Sequence, residues 1–310
     1  MAVFSTKESR ILMPRNIADG MIQDTQTTST VAKLSAQEPQ KFGETDYIVF
    51  NDMPKAEFVE EGAEKSHTTG GFSTVTAKPR KAQVTMRFNE EVQWADEDYQ
   101  LGVLNTLAGA GATALSRALD LGIYHRVNPL TGSTIASWDN YITATDKKVQ
   151  YDGTAEADAA IREAVGLLVN DSKTVTGVAI DPKLSWDLAG LQTKLANGDP
   201  SGVQRYPNLG FGTDIGSFLG LNAAQGNTVS GLPEAKDTGV RAIVGDFTSG
   251  IRWGIQRNLP VEVIQHGDPD GQGDLKRHNQ IALRLEIVYG WYAFADRFAT
   301  VNTTTTTSEG

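Results

Sequence analysis

One stretch constrains the fold of this chain more than any other: a long amphipathic helix is predicted to start at Asp96 and to stop before Asn128-Pro129. Its small and apolar residues recur at helical spacing and form one stripe, made of Leu104, Leu107, Ala108, Gly111, Leu115, Ala118, Leu119 and Gly122. The middle, AGAGATA, contains glycines that each cost about 1 kcal/mol relative to alanine. We therefore expect another element to pack very closely there. Arg117, His125 and Arg126 suit the negative end of the helix dipole.

The residues before this helix predict a long β-hairpin. Strand-like pieces are Tyr47–Phe50, Ala56–Val59, Phe72–Thr76 and Lys81–Phe88, and the last alternates with Ala82, Val84, Met86 and Phe88 on one face. Glu60–Gly71 is polar and glycine-rich, as expected for the tip of the hairpin. A lone hairpin is marginally stable in water, so it needs another surface to lie on. The alternative is a hairpin folded back on its own domain.

The two ends of the chain carry no sustained periodicity. Residues 1–44 are polar and rich in Thr and Gln, which predicts an extended arm that lies on other parts of an assembly, or alternatively a disordered leader. The tail, VNTTTTTSEG, is low in complexity and is expected to be mobile.

The remainder of the chain interleaves helices with strands. Helices are predicted at Ala155–Asn170, with Val169 in its apolar stripe, and from Asp181-Pro182 through Leu184, Trp186, Leu188 and Leu191, and Gly198–Gly216 is expected to be a loop. Strands are predicted at Val175–Ile180, Phe218–Asn222, Val240–Val244, Ile251–Gln256, Val261–Gln265 and Asn279–Tyr289. Because no regular βαβ repeat appears, the pattern favours the α+β class.

Composition argues against several functions. The net charge is −10, from 28 basic and 38 acidic residues, so the chain as a whole repels phosphate and direct nucleic-acid recognition is disfavoured. The absence of cysteine removes disulfides, thiolate nucleophiles and cysteine metal sites. The first residues lack a secretory signal, and no run approaches the roughly 18 apolar residues that span a bilayer. We expect a protein made and used in cytoplasm, with no membrane.

No catalytic or cofactor motif stands out. The chain contains neither GxSxG nor GxxxxGK[ST], and its four histidines, interpreted as surface or helix-end residues, form no metal-ligand pair. GFGTDIG is a poor match to a dinucleotide loop. GDPDGQGD, with Asp268, Asp270 and Asp274, offers oxygen ligands for calcium, but it is better explained as a turn between strands. We expect no enzyme activity, no catalytic residues, no cofactor and no metal.

The order of these elements resembles the major capsid proteins of tailed double-stranded DNA bacteriophages, which share the Hong Kong 97 fold. AEFVEEGAEKSHTTGGFSTVTAKPRKAQVTMRFNEEV resembles the extended loop of the family, with Phe58–Gly62 and Phe72 carrying the match. GVAIDPKLSWDLAGL and SFLGLNA resemble its strand–Pro–helix and Leu-Gly segments. VGDFTSGIRWGIQRNLPVEV, marked by Gly245–Phe247, and IALRLEIVYGWYAFADRFATV, marked by Glu286 and Tyr292–Phe294, resemble its closing strands. The resemblance covers residues 25–302.

The resemblance implies a domain organisation, with these boundaries: an N-terminal arm at 1–45, an extended β-hairpin loop at 46–93, a peripheral domain with the spine helix at 94–155, an axial domain at 156–247, return strands of the peripheral domain at 248–303, and a disordered tail at 304–310. The extended loop would lie across a neighbouring subunit. That arrangement would give the arm and the hairpin the supporting surface that they lack.

The resemblance also implies partners and contacts. The chain would assemble with itself as hexamers and pentamers into an icosahedral virion shell around DNA bound without sequence specificity, inside the bacterial host cytoplasm, helped by a scaffolding protein, a portal and a decoration or cement protein. Assembly contacts are expected at Phe58, Glu60, Glu61, Lys65, Phe72, Lys78, Arg80 and Lys81. The alternatives are an encapsulin-like nanocompartment shell, a calcium-dependent adhesion or decoration module, and an enzyme of unrecognised type.

Overall fold

The computed structural model describes residues 29–50, 56–67, 71–94, 97–153, 156–207, 209, 215–258 and 262–303. Its helices are α1 Thr30–Leu34, α2 Glu97–His125, α3 Ala157–Asn170 and α4 Pro182–Ala189. Its strands are β1 Thr45–Phe50, β2 Phe72–Asn89, β3 Lys148–Tyr151, β4 Gly177–Ile180, β5 Gln192–Lys194, β6 Pro200–Gln204, β7 Ser217–Phe218, β8 Leu221–Gln225, β9 Val240–Gly245, β10 Ile251–Asn258, β11 Glu262–Ile264, β12 Gln280–Ala293 and β13 Phe298–Thr303. This mixture of helices and sheets agrees with the predicted α+β class.

The first sheet is antiparallel and supports the long helix α2. Its order is β1-β2-β12-β10, with β11 also paired to β12. One face of β12 buries Leu285, Ile287, Tyr289 and Trp291 in the same apolar core as α2. A Cβ at Gly111 would lie 3.0 Å from the Leu285 side chain, and a Cβ at Gly122 would lie 2.9 Å from Trp291. The close packing expected from the glycines in the middle of α2 is therefore confirmed at Gly111 but not at Gly109, and its partner is the central strand of this sheet.

The second sheet is mixed and carries the shorter helices. Its order is β3-β13-β9-β4-β8-β7, in which β13 pairs with β3 and β4 pairs with β8 in parallel. Helix α3 buries Ile161, Ala164 and Leu168 against this sheet, in a core that also contains Ile180 and Val244. Helix α4 starts at Pro182, and the side chain of Asp181 accepts a hydrogen bond from the Lys183 backbone N–H, as expected for an N-cap. The predicted Asp-Pro helix start is confirmed.

The hairpin strand β2 differs from the prediction because it is continuous. Residues 72–77 pair with β1, and residues 78–89 pair with β12 on the other side. Two strands were predicted here, Phe72–Thr76 and Lys81–Phe88, and Pro79 lies between them. Proline lacks a backbone N–H, and strands tolerate it where that group has no partner. The change of partner at this point satisfies that requirement, so the strand runs through.

Three other predictions of local structure are wrong. Residues 56–67 contain neither helix nor strand, so the piece Ala56–Val59 is not a strand. The expected loop from Gly198 contains β6, which pairs with β5 as a small hairpin. Phe218–Asn222 is interrupted at Leu219 and Gly220, both of which have positive φ angles, so the segment forms the turn between β7 and β8.

The predicted N-terminal arm is partly corrected. Residues 1–28, with the tail 304–310 and the predicted N-cap Asp96, lie outside the described residues. The described part of the arm, residues 29–44, which we call the strap, contacts the subunit's own core and first sheet. Thr30, Val31 and Leu34 of α1 are buried, because the apolar pair Val31 and Leu34 enters the core beneath α2.

Candidate assembly surfaces

The hairpin of β1 and β2 has one face turned to the subunit and one turned to solvent. The register pairs Tyr47 with Val75 and Ile48 with Thr74. Tyr47 is partly buried, and its hydroxyl donates to Glu38 at 3.1 Å, so this face lies on the strap. On the other face Ile48 is 69% exposed and Phe72 is 70% exposed. An exposed sheet face with large apolar side chains is typical of an interaction surface.

The loop beyond the hairpin continues this surface. Every residue from 56 to 67 is exposed, and Phe58 has no measurable burial. The chain reverses in a turn in which the Ala63 N–H donates to the Glu60 carbonyl at 3.0 Å and Gly62, the third residue of the turn, has φ +83°. Of the predicted contact residues, Phe58, Glu60, Glu61 and Lys65 all lie on this exposed loop. An unsupported aromatic ring on a polar loop gains stability only when another surface covers it.

The basic residues of β2 do not form one patch. The Arg80 guanidinium lies 4.3 Å from the centre of the Trp138 ring and 5.9 Å from that of Trp291, and burial lowers the pKa of Arg80. Lys81 points to the opposite face and binds Glu286 at 2.7 Å. Lys78 is exposed. Two of the eight predicted contact residues thus have partners inside the subunit.

Further exposed apolar side chains were not identified as contacts from the sequence. Leu130, in the turn after α2, is 92% exposed, and Trp186 on α4 is 64% exposed. The others are Phe42, Val169, Leu195, Val203 and Leu219. Trp186 and Val169 were both placed in the apolar stripes of their helices, and that assignment is wrong for them. Helical spacing predicts which residues share a face of the helix, but it does not predict which of them the sheet covers.

The carboxylates of the acidic turn Gly267–Asp274 bind the side chain of Arg87 from β2. The Arg87 guanidinium binds Asp268 at 2.9 Å, contacts Asp270 through two nitrogens and donates to the Gly273 carbonyl at 2.9 Å. Hydrogen bonding to Arg87 lowers the pKa of Asp270. The sequence favoured a turn between two strands, and this segment is the turn between β11 and β12. Arg87 neutralises two of its carboxylates, Asp268 and Asp270.

Metal-binding clusters and membrane-spanning helices are both absent from the described part of the chain. No group of three or more His, Asp or Glu side chains is arranged there to hold a metal ion. Within the same residues, no helix is both long and apolar enough to cross a membrane.

Similar structures come from phages. A structure from Mycobacterium phage Ogopogo is 44% identical, with 89% of this chain and 92% of that chain covered and a TM-score of 0.78. One from Gordonia phage Cozz is 26% identical, over 90% and 87% of the two chains, with a TM-score of 0.76. The capsid of a native GTA particle shares the fold at 16% identity, over 90% and 91%, with a TM-score of 0.56. No family model and no curated protein matches the sequence.

The fold, shared with a capsid structure, and the uncovered apolar surfaces are those expected of a subunit of a protein shell. The agreement with phage structures over nearly the whole of both chains makes the assignment specific: the chain belongs to the major capsid proteins of tailed phages. Its role is structural, as a component of the virion that associates with itself to form the head shell. The encapsulin-like alternative is not favoured by these neighbours.

Proposed function

We propose that the chain has the Hong Kong 97 fold and assembles as hexamers and pentamers into the icosahedral shell around the phage double-stranded DNA. The observation that carries this proposal is the hairpin of β1 and β2, whose outer face and loop expose Ile48, Phe58 and Phe72 without a covering surface among the described residues. In a closed shell every subunit has neighbours that can cover such a surface.

The domain organisation inferred from the sequence is part of this proposal, with one change: β3 and β13, which that division gave to the peripheral domain, lie in the second sheet. The first sheet with α2 serves as the peripheral domain, the second sheet with α3 and α4 as the axial domain, and residues 46–93 as the extended loop. The net charge of −10 keeps the shell from binding packaged DNA tightly. We further propose assembly in the host cytoplasm with a scaffolding protein, a portal and a decoration or cement protein as partners.

The eight predicted contact residues divide into two roles under this proposal. Phe58, Phe72 and the exposed charges at Glu60, Glu61, Lys65 and Lys78 contact a neighbouring subunit. Arg80 and Lys81 support the hairpin from within, through Trp138 and Glu286. The carboxylates and the lysine of the loop would then select the register of the neighbour, and the two aromatic rings would supply most of the affinity.

The test is the double variant Phe58→Ser, Phe72→Ser, compared with the wild type by sedimentation and negative-stain electron microscopy. We expect shells or capsomer-sized rings from the wild type when it is expressed with its neighbouring genes, and unassembled subunits from the variant. Because both rings are exposed in the subunit, its free energy of unfolding should change by less than about 0.5 kcal/mol.

The matched control is Thr74→Ser, which alters an exposed residue on the same face without removing an apolar group. It should assemble like the wild type. Wild-type yields of shells from the double variant would refute the role of the hairpin surface, and a wild type that remains a 33.4 kDa monomer under all conditions would refute the assembly proposal itself.

A further inference from the structure

A buried carboxylate joins the spine helix to the start of the strap. Asp120 of α2 is 2% exposed. It accepts hydrogen bonds from the Thr30 N–H at 3.0 Å, the Val31 N–H at 3.2 Å, the Thr30 and Thr228 hydroxyls at 2.8 Å each, and the Ser29 hydroxyl. All five donors are neutral. Burial raises the pKa of Asp120, and the hydrogen bonds act in the opposite direction.

This carboxylate acts as a cap for another helix. The first-turn N–H groups of α1 have no partners within the helix, and Asp120 accepts from two of them, while the Ser29 hydroxyl accepts from the Ala32 N–H at 3.1 Å. A negative charge at this end also interacts favourably with the helix dipole. A helix of five residues is far too short to persist alone, so α1 depends on this cap and on the burial of its apolar side chains.

The strap continues from α1 around the edge of the first sheet. The Trp253 Nε1–H donates to the Ser35 hydroxyl at 2.9 Å, and the Glu38 N–H donates to the Trp253 carbonyl at 2.8 Å. Beyond Glu38 the strap crosses the sheet on the face opposite α2, over Gly254 and Gly290, which pair with each other in register. A Cβ on either glycine would overlap the strap, so the sheet contains a channel for it.

The strap then leads directly into the hairpin. Gln40 Nε2 donates to the Tyr47 hydroxyl at 2.9 Å, and that hydroxyl donates to Glu38, so β1 rests on the crossing segment. The position of β1 therefore follows from the position of residues 38–40. Trp253, Arg252 and Gln256 of β10 hold residues 38–40, and the chain reaches them from the attachment of residues 29–31 to α2.

We propose that Asp120 is a positioning residue for assembly: its carboxylate fixes residues 29–31 on α2, and thereby fixes both the attachment point of the preceding residues and the place of the hairpin. An apolar side chain at position 120 would avoid burying a charge but would not specify where α1 lies. The assembly consequence rests on the proposed function, whereas the attachment itself is a property of the single subunit.

The experiment measures amide hydrogen exchange of the unassembled full-length chain carrying Asp120→Asn. The amide nitrogen of asparagine is a donor that faces other donors, so we expect exchange of residues 30–35 to rise at least about tenfold, equivalent to about 1.4 kcal/mol of local opening. Exchange in β9 and β13 of the second sheet should stay within about twofold of the wild type.

Two further variants make the result decisive. Thr30→Val removes one donor from the strap side and keeps the shape of the residue, so it should raise the same exchange even if Asp120→Asn fails to fold. Asp181→Asn alters another buried carboxylate, the N-cap of α4, and should leave exchange at 30–35 unchanged, because asparagine also caps helices. Unchanged exchange at 30–35 in both Asp120→Asn and Thr30→Val would overturn the attachment.

The assembly part is read separately, by the size distribution of the particles. We expect Asp120→Asn to give fewer and less uniform shells than the wild type, and Asp181→Asn to give shells of normal size. Raised exchange combined with normal shells would overturn the positioning role. Failure of the wild type to form any shell refutes the proposed function instead, and the exchange comparison still decides the attachment.

Discussion

His125 shows how burial overrides a favourable helix position. It is the last residue of α2, where a positive charge would interact well with the dipole, and the sequence analysis assigned it that role. The side chain is buried and lies 2.8 Å from the Val229 carbonyl through Nε2. A carbonyl only accepts, so Nε2 carries the proton and donates. Burial lowers the pKa of His125 from 6.5 to about 4, so the ring is neutral in the folded subunit and the assigned role is wrong.

This residue predicts an acid sensitivity of the unassembled subunit. The unfolded chain binds the proton more tightly than the folded one, so the contribution of His125 to stability is complete above pH 6.5 and is lost as the pH falls toward 4. Between pH 7 and pH 5 the loss should be about 2 kcal/mol. His125→Gln keeps a donor for Val229 but does not titrate. Denaturant unfolding at pH 7 and pH 5 measures the drop in the free energy of unfolding for each protein. The drop should be about 2 kcal/mol smaller in the variant than in the wild type.

At the scale of elements, the spine helix α2 is stabilised by close packing of its small residues against the side chains of β12. Gly122 faces the Trp291 and Trp138 rings, which pack edge to face at 5.3 Å between centroids. Two rings in this arrangement have little freedom to retreat. Gly109 lies on the same helix, but a Cβ there would meet nothing within 4 Å. The two glycines therefore have opposite structural roles, although both weaken the helix by the same intrinsic amount.

This difference gives a paired prediction. Gly122→Ala should destabilise the subunit by about 1 to 3 kcal/mol, because the added methyl group overpacks the tryptophan pair. Gly109→Ala should stabilise it by up to about 1 kcal/mol through helix propensity alone. Chemical denaturation of the unassembled subunits measures both changes. Equal effects of the two substitutions would contradict the packing described for Gly122.

At the scale of the whole molecule, the C-terminal strands complete both sheets. β12 lies between β2 and β10 in the first sheet, and β13 lies between β3 and β9 in the second. A chain that ends at residue 279 lacks both strands and leaves both cores open. We expect it to be insoluble or to lack cooperative unfolding, whereas a chain that ends at residue 303 should fold like the full-length protein. Circular dichroism and thermal melting of the two truncated chains test this expectation.

Sequence reasoning found the features that local patterns encode. The alternation around Val84 and the stripe around Leu115 identified β2 and α2, and the polar composition of the segment from Glu60 identified a loop, of which the described residues 60–67 are exposed. It could not identify Asp120, because the donors that surround this carboxylate lie about 90 residues earlier at Ser29–Val31 and about 110 later at Thr228.

The candidate contact surface was predictable to a similar degree. Phe58 and Phe72 were predicted because they carry the resemblance to the extended loop of the family, and both rings are exposed in the subunit. Arg80 was grouped with Lys78 because the two are close in sequence, but its partner Trp138 is 58 residues away. The alternation of a strand predicts which face a side chain lies on, but the residue that it contacts there depends on the tertiary fold.

The uninterrupted backbone of β2 has a mechanical consequence. Its 18 residues span roughly 60 Å. Residues 72–77 pair with β1 in the hairpin, and residues 78–89 pair with β12, which packs on α2. A strand that is hydrogen-bonded along its whole length is stiffer than a loop, so a displacement of one end moves the other end. If a neighbouring subunit binds the hairpin as proposed, a push on the hairpin would be delivered to the interior of the molecule, and bending of the particle wall would then be coupled to tilting of the first sheet.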